Sequence, residues 1–283
     1  MKAIVTGAGG FAGGWLVRAL REAGWSVVTL ARRGPADRVG DLARMPLGGL
    51  RADVVFHLAG FASPSASFDA PLEAHEANAV STARLLRHVP AGRFVIASTC
   101  QVYEPGPRPL PETSPLRPAN PYAASKLWAE TLARTSGRDV VILRPFNHTG
   151  PGHSDAYVCP RIARQIARAE ADQGPHTLEL GEIEHRRDFF DVRDMARAYI
   201  LAAGRGRPGE VYNVGTGAAI AIREIVNLLV ARARVPFRVR SLPGPATVLS
   251  ADASKFRAAT GWLPLIPLRQ TLDELLAHER RRT

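Results

Sequence analysis

A chain of 283 residues that is 46% hydrophobic can bury a substantial core, and its two cysteines, Cys100 and Cys159, lack metal-ligand spacing, which argues against a disulfide framework and a zinc site. The formal net charge of +11 comes mostly from arginines scattered along the chain rather than gathered in a stripe with aromatics, so small multiply anionic ligands are expected as partners and nucleic acid is not. No run approaches the roughly 20 apolar residues of a membrane span, and the chain enters its first strand at once, which leads to the expectation of a cytoplasmic protein without membrane contact.

The first strand, Ala3–Thr6, runs straight into Gly7-Ala8-Gly9-Gly10-Phe11-Ala12-Gly13 and then into the helical spacing Phe11, Trp15, Leu16, Ala19, Leu20, closed by Gly24. A glycine triplet in that setting reads as a dinucleotide-binding turn. Gly7 permits the tight turn, Gly10 lets backbone approach a pyrophosphate, and Gly13 lets the helix pack closely on the sheet. The free N–H groups of the helix start, at Phe11 and beyond, then face the phosphates. The second strand, Val27–Leu30, leads into Arg32 and Arg33. An acid there would accept from an adenosine ribose 2′-OH, whereas arginine suits a 2′-phosphate, so NADP(H) is favoured and NAD(H) is possible.

The Gly- and Pro-rich connection between Leu30 and Asp53 predicts a stunted third strand and helix. Strand Val54–Leu58, a helix near Ala74–His88, strand Phe94–Ser98, a helix from Pro121 and strand Val140–Leu143 follow. This alternation predicts an α/β, Rossmann-type, doubly wound parallel sheet, and its continuously apolar strands require helices on both faces. After Gly150 the pattern is mixed: a helix near Cys159–Ala169, strands at Thr177–Leu180, Asp188–Val192 and Val211–Val214, and helices near Ile222–Ala233 and Leu268–Glu279. The expected division is a dinucleotide-binding domain of residues 1–147, with returns near 188–216, and a smaller mixed α/β substrate lobe of 148–187 and 217–283.

The segment Asn120-Pro121-Tyr122-Ala123-Ala124-Ser125-Lys126 carries the chemistry. Asn120 suits an N-cap and Pro121 the first helical position, so Tyr122 and Lys126 fall at i and i+4 on one face. Lys126 is expected to lower the phenol pKa and to share hydrogen bonds with a nicotinamide ribose, making Tyr122 a proton donor or acceptor. An isolated Tyr-x-x-x-Lys is more often plain helix surface. Here it is joined by Ser98-Thr99 at the C-terminal edge of the sheet, where Thr99 is placed to bond the reacting oxygen.

With these pieces in order, the sequence resembles the extended short-chain dehydrogenase/reductase family, of the NAD-dependent epimerase/dehydratase type, over nearly its whole length. The further motifs are His57-Leu58-Ala59-Gly60, Asn78, Arg144-Pro145-Phe146-Asn147, Arg187-Asp188-Phe189-Phe190-Asp191-Val192 and Tyr212-Asn213-Val214-Gly215. The resemblance implies that Leu58, Ala59, Gly60 and Pro145 line the cofactor, that Asp41 and Leu42 contact adenine, and that Asn78 is a structural polar residue. It implies that Asn147 and Gln101 face substrate and Arg187 a sugar-nucleotide phosphate. A homodimer through a helical interface is implied as well.

Within the family the motifs look most like reductases of GDP-4-keto-6-deoxy-mannose and the related 4,6-dehydratases. The dehydratases need carboxylates beside the catalytic Thr, and this chain has Cys100 and Gln101 there. The resemblance therefore implies NAD(P)H-dependent reduction, from the nicotinamide B face, of the C4 ketone of a nucleotide-linked deoxysugar. A nucleotide-sugar 4-epimerase is the alternative, and a non-catalytic dinucleotide-binding protein a remoter one. The second phosphate-binding Arg usual in the family is replaced by Leu242-Pro243-Gly244-Pro245, leaving Arg238 or Arg240 as substitutes, or a substrate without a diphosphate.

Overall fold

The computed structural model describes residues 1–172 and 176–283. Strands β1 (Lys2–Thr6), β2 (Ser26–Ala31), β3 (Arg38–Val39), β4 (Ala52–His57), β5 (Ala91–Ala97), β6 (Val140–Pro145) and β10 (Val211–Val214) form one parallel sheet in the order β10-β6-β5-β4-β1-β2-β3. Its helices are α1 (Phe11–Glu22), α2 (Pro71–His75), α3 (Ser81–His88), α4 (Pro121–Arg134) and α6 (Val192–Arg205). The strands are runs such as Val54-Val55-Phe56 and Val140-Val141-Ile142, buried along their length because both faces are covered. On one face Leu16 and Leu20 of α1 meet Tyr199 and Ala202 of α6; on the other lie Leu85 and Leu86 of α3 and Ala133 of α4.

Between β3 and β4 no helix forms. Leu42, Leu47 and Leu50 of that irregular segment cover the sheet instead, each buried in the same cluster as Ile4 and Leu30.

A second sheet joins β7 (Asn147–Thr149), β9 (Arg186–Asp191), β11 (Ala219–Ala221) and β13 (Val248–Leu249), and β8 (His176–Glu182) pairs with β12 (Phe237–Leu242) as a ribbon. With α5 (Val158–Glu170), α7 (Ile222–Val230) and α9 (Leu268–Arg280) they enclose a separate core of Ile162, Ile166, Ile225, Leu229, Leu272 and Leu275. The short α8 (Ser254–Thr260) packs beside β10.

Two expectations need correction. The strand at Asp188–Val192 belongs to the second sheet, and only β10 returns to the main one. The Asp188 carboxylate accepts from the amides of Thr216, Gly217 and Ala251 at 2.8–3.1 Å, tying β9 to the turn after β10 and to the start of the α8 segment. The helix near Ala74–His88 is interrupted by a π-helical turn at Glu76–Val80. Ser81 Oγ donates to Ala77 O and Thr82 Oγ1 to Asn78 O, both at 2.6 Å, so hydroxyls bond carbonyls of the widened turn.

Candidate active site

The C-terminal ends of β1, β4, β5 and β6 converge on one cleft. Gly7 has φ +72°, and a Cβ there would lie 2.6 Å from the Ala59 nitrogen; one on Gly13 would lie 2.0 Å from Gly7 O. Neither position has room for a side chain, so the turn is drawn tight against both the β4 loop and α1. Helix α1 begins with no side-chain cap and no acid in its first turn. Its opening amides and the positive end of its dipole are therefore left for an anionic group, which fits a dinucleotide pyrophosphate.

The floor of this cleft is ordered by a buried chain of polar groups. Thr82 Oγ1 gives its proton to Asn78 O, so His57 Nε2–H donates to Thr82 Oγ1 at 2.9 Å and His57 Nδ1 accepts from Thr6 Oγ1 at 2.7 Å. Thr6 Oγ1 in turn accepts from Ala59 N at 3.1 Å. Burial, assisted by the Lys126 charge, pushes His57 down to about 3, so the ring is neutral and its tautomer fixed. Leu58-Ala59-Gly60 is thereby held at the end of β4. A Cβ on Gly60 would lie 2.1 Å from Asn78 Oδ1 and 3.3 Å from Lys126 Nζ. Asn78 itself accepts from Phe61 N at 3.0 Å and donates to Ser125 Oγ at 2.8 Å, joining the floor to α4.

Arg32 and Arg33 are exposed beside this turn, where the Arg33 carbonyl would be 3.4 Å from a Cβ on Gly9, and neither has an acidic partner among the described residues. Asp41 is exposed and accepts from Ala43 N at 2.9 Å. The Leu42 side chain is committed to the core. Pro145 is buried at the end of β6, paired with Val214.

Helix α4 starts as its sequence requires, with Asn120 Oδ1 accepting from Ala123 N at 2.8 Å and Pro121 in the first turn. Thr99 caps a 3-10 turn at Cys100–Val102, its Oγ1 accepting from Gln101 N at 3.2 Å, and its hydroxyl is near enough to Tyr122 to favour that phenol's ionised form. Asn120 Nδ2 also donates to Gln101 Oε1 at 3.1 Å, so Gln101 fastens the start of α4 to the Thr99 turn. Lys126 Nζ donates to Ala97 O at 2.9 Å. Burial brings Lys126 down to about 8, with Glu130 pulling the other way.

Lys126 does not lower the phenol here, contrary to expectation. Burial pushes Tyr122 above the usual phenol range, and the nearby Thr99 hydroxyl opposes this only in part. Desolvation outweighs charge because the ammonium is directed to a carbonyl and Tyr122 is 9% exposed. Tyr122 is therefore a protonated donor at neutral pH.

On the opposite side of the cleft, Asn147 is half-buried, and its side chain has no hydrogen-bond partner among the described residues. Arg187 Nη1 donates to Arg186 O at 2.9 Å and to Thr247 O at 2.7 Å, while Nη2 donates to Thr247 Oγ1 at 2.9 Å. Its Nε has no partner among the described residues, so one edge of the guanidinium is open to a ligand there. Thr247, on the loop before β13, was not legible as a site residue, because nothing local marks a pairing across 60 residues. Arg240 pairs with Glu179 at 3.7 Å on the β8–β12 ribbon. Burial pushes the Cys100 thiol up to about 12. Glu104, the next acid along this segment, is drawn outward to Arg117 at 2.8 Å.

A ring stack also escaped sequence reasoning. Phe11 lies face to face with His153, centroids 4.1 Å apart, and His153 with Tyr157 at 4.3 Å; the Tyr157 hydroxyl donates to Ala62 O at 3.0 Å. Burial pushes His153 down to about 3. The stack links the glycine turn, the segment after Gly60 and the start of α5.

Among known proteins, a GDP-6-deoxy-D-mannose reductase of Pseudomonas aeruginosa is 35% identical over 300 residues, spanning 98% of this chain and 96% of that protein. The solved structure of RMD from Pseudomonas aeruginosa complexed with NADPH superposes with a TM-score of 0.89 at 32% identity, covering 100% of this chain and 99% of that one. A UDP-glucose 4-epimerase of Azospirillum brasilense is 31% identical over 93% of this chain and 87% of its own length. The pattern of the NAD dependent epimerase/dehydratase family matches residues 3–215, and with the glycine turn, the Thr99, Tyr122 and Lys126 arrangement and the parallel sheet beneath them, the chain belongs to that family.

Proposed function

We propose that the protein reduces the C4 ketone of a nucleotide-linked 4-keto-6-deoxysugar, with NADP(H) as the favoured cofactor. The observation that carries this reading is a protonated Tyr122 close to Thr99 and one helical turn from Lys126, with Thr99 followed by a neutral thiol, Cys100, and an amide, Gln101. The glycine turn and the first amides of α1 hold the pyrophosphate, Arg32 and Arg33 the 2′-phosphate, and Leu58–Gly60 with Lys126 the nicotinamide ribose end. When bound, the reduced nicotinamide supplies a hydride. Tyr122 gives its phenolic proton to the oxygen that becomes a hydroxyl, Thr99 orients that oxygen, and the Lys126 ammonium stabilises the charge left on the phenol. Asn147 and the free edge of Arg187 hold the phosphate end of the sugar nucleotide. Cys100 and Gln101 offer no base for C5, which separates this chemistry from water elimination.

The epimerase relative supports a second reading, oxidation and re-reduction of C4 by the same three residues with a retained NAD. Incubation with GDP-4-keto-6-deoxy-mannose separates the two. Stoichiometric oxidation of added NADPH, reduced about a hundredfold or more in Tyr122→Phe, supports the reductase. Copurified NAD, with interconversion of UDP-hexoses and no use of added NADPH, overturns it.

Residues 148–187 and 217–283 form the substrate lobe, and the protein works in the cytoplasm, with no described helix long and apolar enough to cross a membrane. It acts as a homodimer. The groove between the stretch from His75 to His88 and α4 is lined by Ala79, Val80, Ala83, Trp128 and Leu132 together with the basic Arg84 and Arg87, and it offers a mainly apolar face for a second copy, with Trp128 48% exposed. Monomer mass in light scattering at micromolar concentration would refute the dimer.

A further inference from the structure

A buried ion pair lies behind Thr99 and Lys126. Glu130 and Arg144 are 2% and 3% exposed and are joined at both carboxylate oxygens, Arg144 Nε to Oε1 at 2.9 Å and Nη2 to Oε2 at 2.6 Å. Ser98 Oγ donates to the same carboxylate. On the far side, Arg144 Nη1 donates to the Tyr103 hydroxyl at 2.7 Å, its guanidinium lies 4.9 Å from the Tyr103 ring centre, and that hydroxyl donates to Asn213 Oδ1 at 2.8 Å. The segment from Ser98 to Tyr103, which carries Thr99, is thus fastened at both ends to one ion pair. Glu130 stands on α4 one turn beyond Lys126 and two beyond Tyr122.

Pairs of this kind contribute little to stability, since the cost of desolvating two charges offsets their attraction, and apolar replacements of both are often as stable. This network does something an apolar one could not. The titratable groups around the Lys126 ammonium are His57 from β4, held neutral, the protonated Tyr122 phenol on its own helix with the Cys100 thiol beyond it, and Glu130, backed by Arg144 from β6. Glu130 is the one anion among them.

We propose that Glu130 is a positioning residue of the active site. Through Ser98 and Arg144 it clamps the Thr99 segment to the helix bearing Tyr122, and it supplies the buried negative charge that keeps Lys126 an ammonium. The inference rests on the assignment of Thr99, Tyr122 and Lys126 to one reaction centre, but the binding arm of its test does not need the sugar to be known.

The test is the pH dependence of NADPH binding, followed by quenching of protein fluorescence from pH 6 to 10, in wild type, Glu130→Gln, Glu130→Gln with Arg144→Met, and Glu130→Asp. The double substitution removes the guanidinium that Glu130→Gln would strand, so it remains readable where the single variant does not fold. The alkaline loss of affinity, where Lys126 gives up its proton, is expected to move down by about one pH unit in Glu130→Gln, by a smaller but resolvable amount in the double variant, where the lost guanidinium offsets part of the lost carboxylate, and to stay near the wild-type position in Glu130→Asp. Turnover should fall about tenfold or more in Glu130→Asp despite its retained charge, because the shorter side chain misplaces Ser98 and Thr99. An alkaline limb unmoved in each Gln variant that folds, with turnover of Glu130→Asp at the wild-type level and only thermal stability changed, would show the pair to be structural and overturn the proposal. Failure of wild type to reduce any keto sugar would count against the proposed function alone, and the shift in binding would still decide the role of Glu130.

Discussion

Acidification should lower the stability of the fold through His57, and the size of the effect follows from its surroundings. The ring is buried between Thr6 and Thr82, and burial lowers its pKa from 6.5 to about 3. A histidine depressed in this way binds its proton in the unfolded chain first, so its contribution is fully present above pH 6.5 and is lost as pH falls towards the folded value. At pH 5 the unfolded chain has gained about one and a half decades of proton binding that the folded chain has not, or about 2 kcal/mol at 1.36 kcal/mol per decade. Urea unfolding at pH 7.5 and pH 5 should show this loss in wild type. In His57→Gln, which keeps an amide donor toward Thr82 but nothing that titrates, the loss between the two pH values should be smaller by about 2 kcal/mol, even though the variant is less stable at both. Comparing the two proteins cancels His153, whose ring burial also lowers to about 3. Equal losses in both proteins would mean that His57 is solvated or already protonated, and the hydrogen-bond chain deduced from it would be wrong.

Changing Arg32 and Arg33 together to Ala should weaken NADPH more than NADH, since charge-assisted bonds to a 2′-phosphate are worth roughly 1.5–3 kcal/mol each; equal losses in fluorescence titrations would remove the preference for NADP. Gly13→Ala places a methyl 2.0 Å from Gly7 O and should abolish detectable dinucleotide binding, with a stability loss of about 1–3 kcal/mol or more. Gly14→Ala, whose nearest neighbour would be Ala8 O at 3.8 Å, should bind normally, and similar behaviour of the two variants in calorimetry would contradict the turn geometry. Incubation with GDP-mannose and saturating cofactor should give no loss of water by mass spectrometry, because Cys100 and Gln101 stand where an acid and a base would be needed; a dehydrated product would restore elimination chemistry.

What could be read from the chain alone was local. The glycine turn, the Asn120 cap, the Tyr122 and Lys126 spacing and the apolar strands each declare themselves within a few residues, and the sheet follows from their alternation. The stunted segment between β2 and β4 was legible for the same reason, since Gly and Pro act where they stand. Contacts between distant segments were not. Thr247 reaches Arg187 across 60 residues, and β9 joins the second sheet because Asp188 collects amides from two later loops. The Tyr122 pKa departs from expectation because spacing shows the neighbouring charge and not the burial that outweighs it.

The widened turn at Glu76–Val80 carries one residue more than an α-helix would need. Deleting a single residue there would restore regular helical bonding from α2 into α3, a local gain. It would also rotate Asn78 by about 100°, one residue's turn of an α-helix, away from both Phe61 and Ser125. The cofactor floor and the helix of Tyr122 and Lys126 would then lose the side chain they share. Length changes at this point therefore set the fold and the site against each other: a shorter chain would fold as well or better and yet leave the two halves of the proposed reaction centre unregistered.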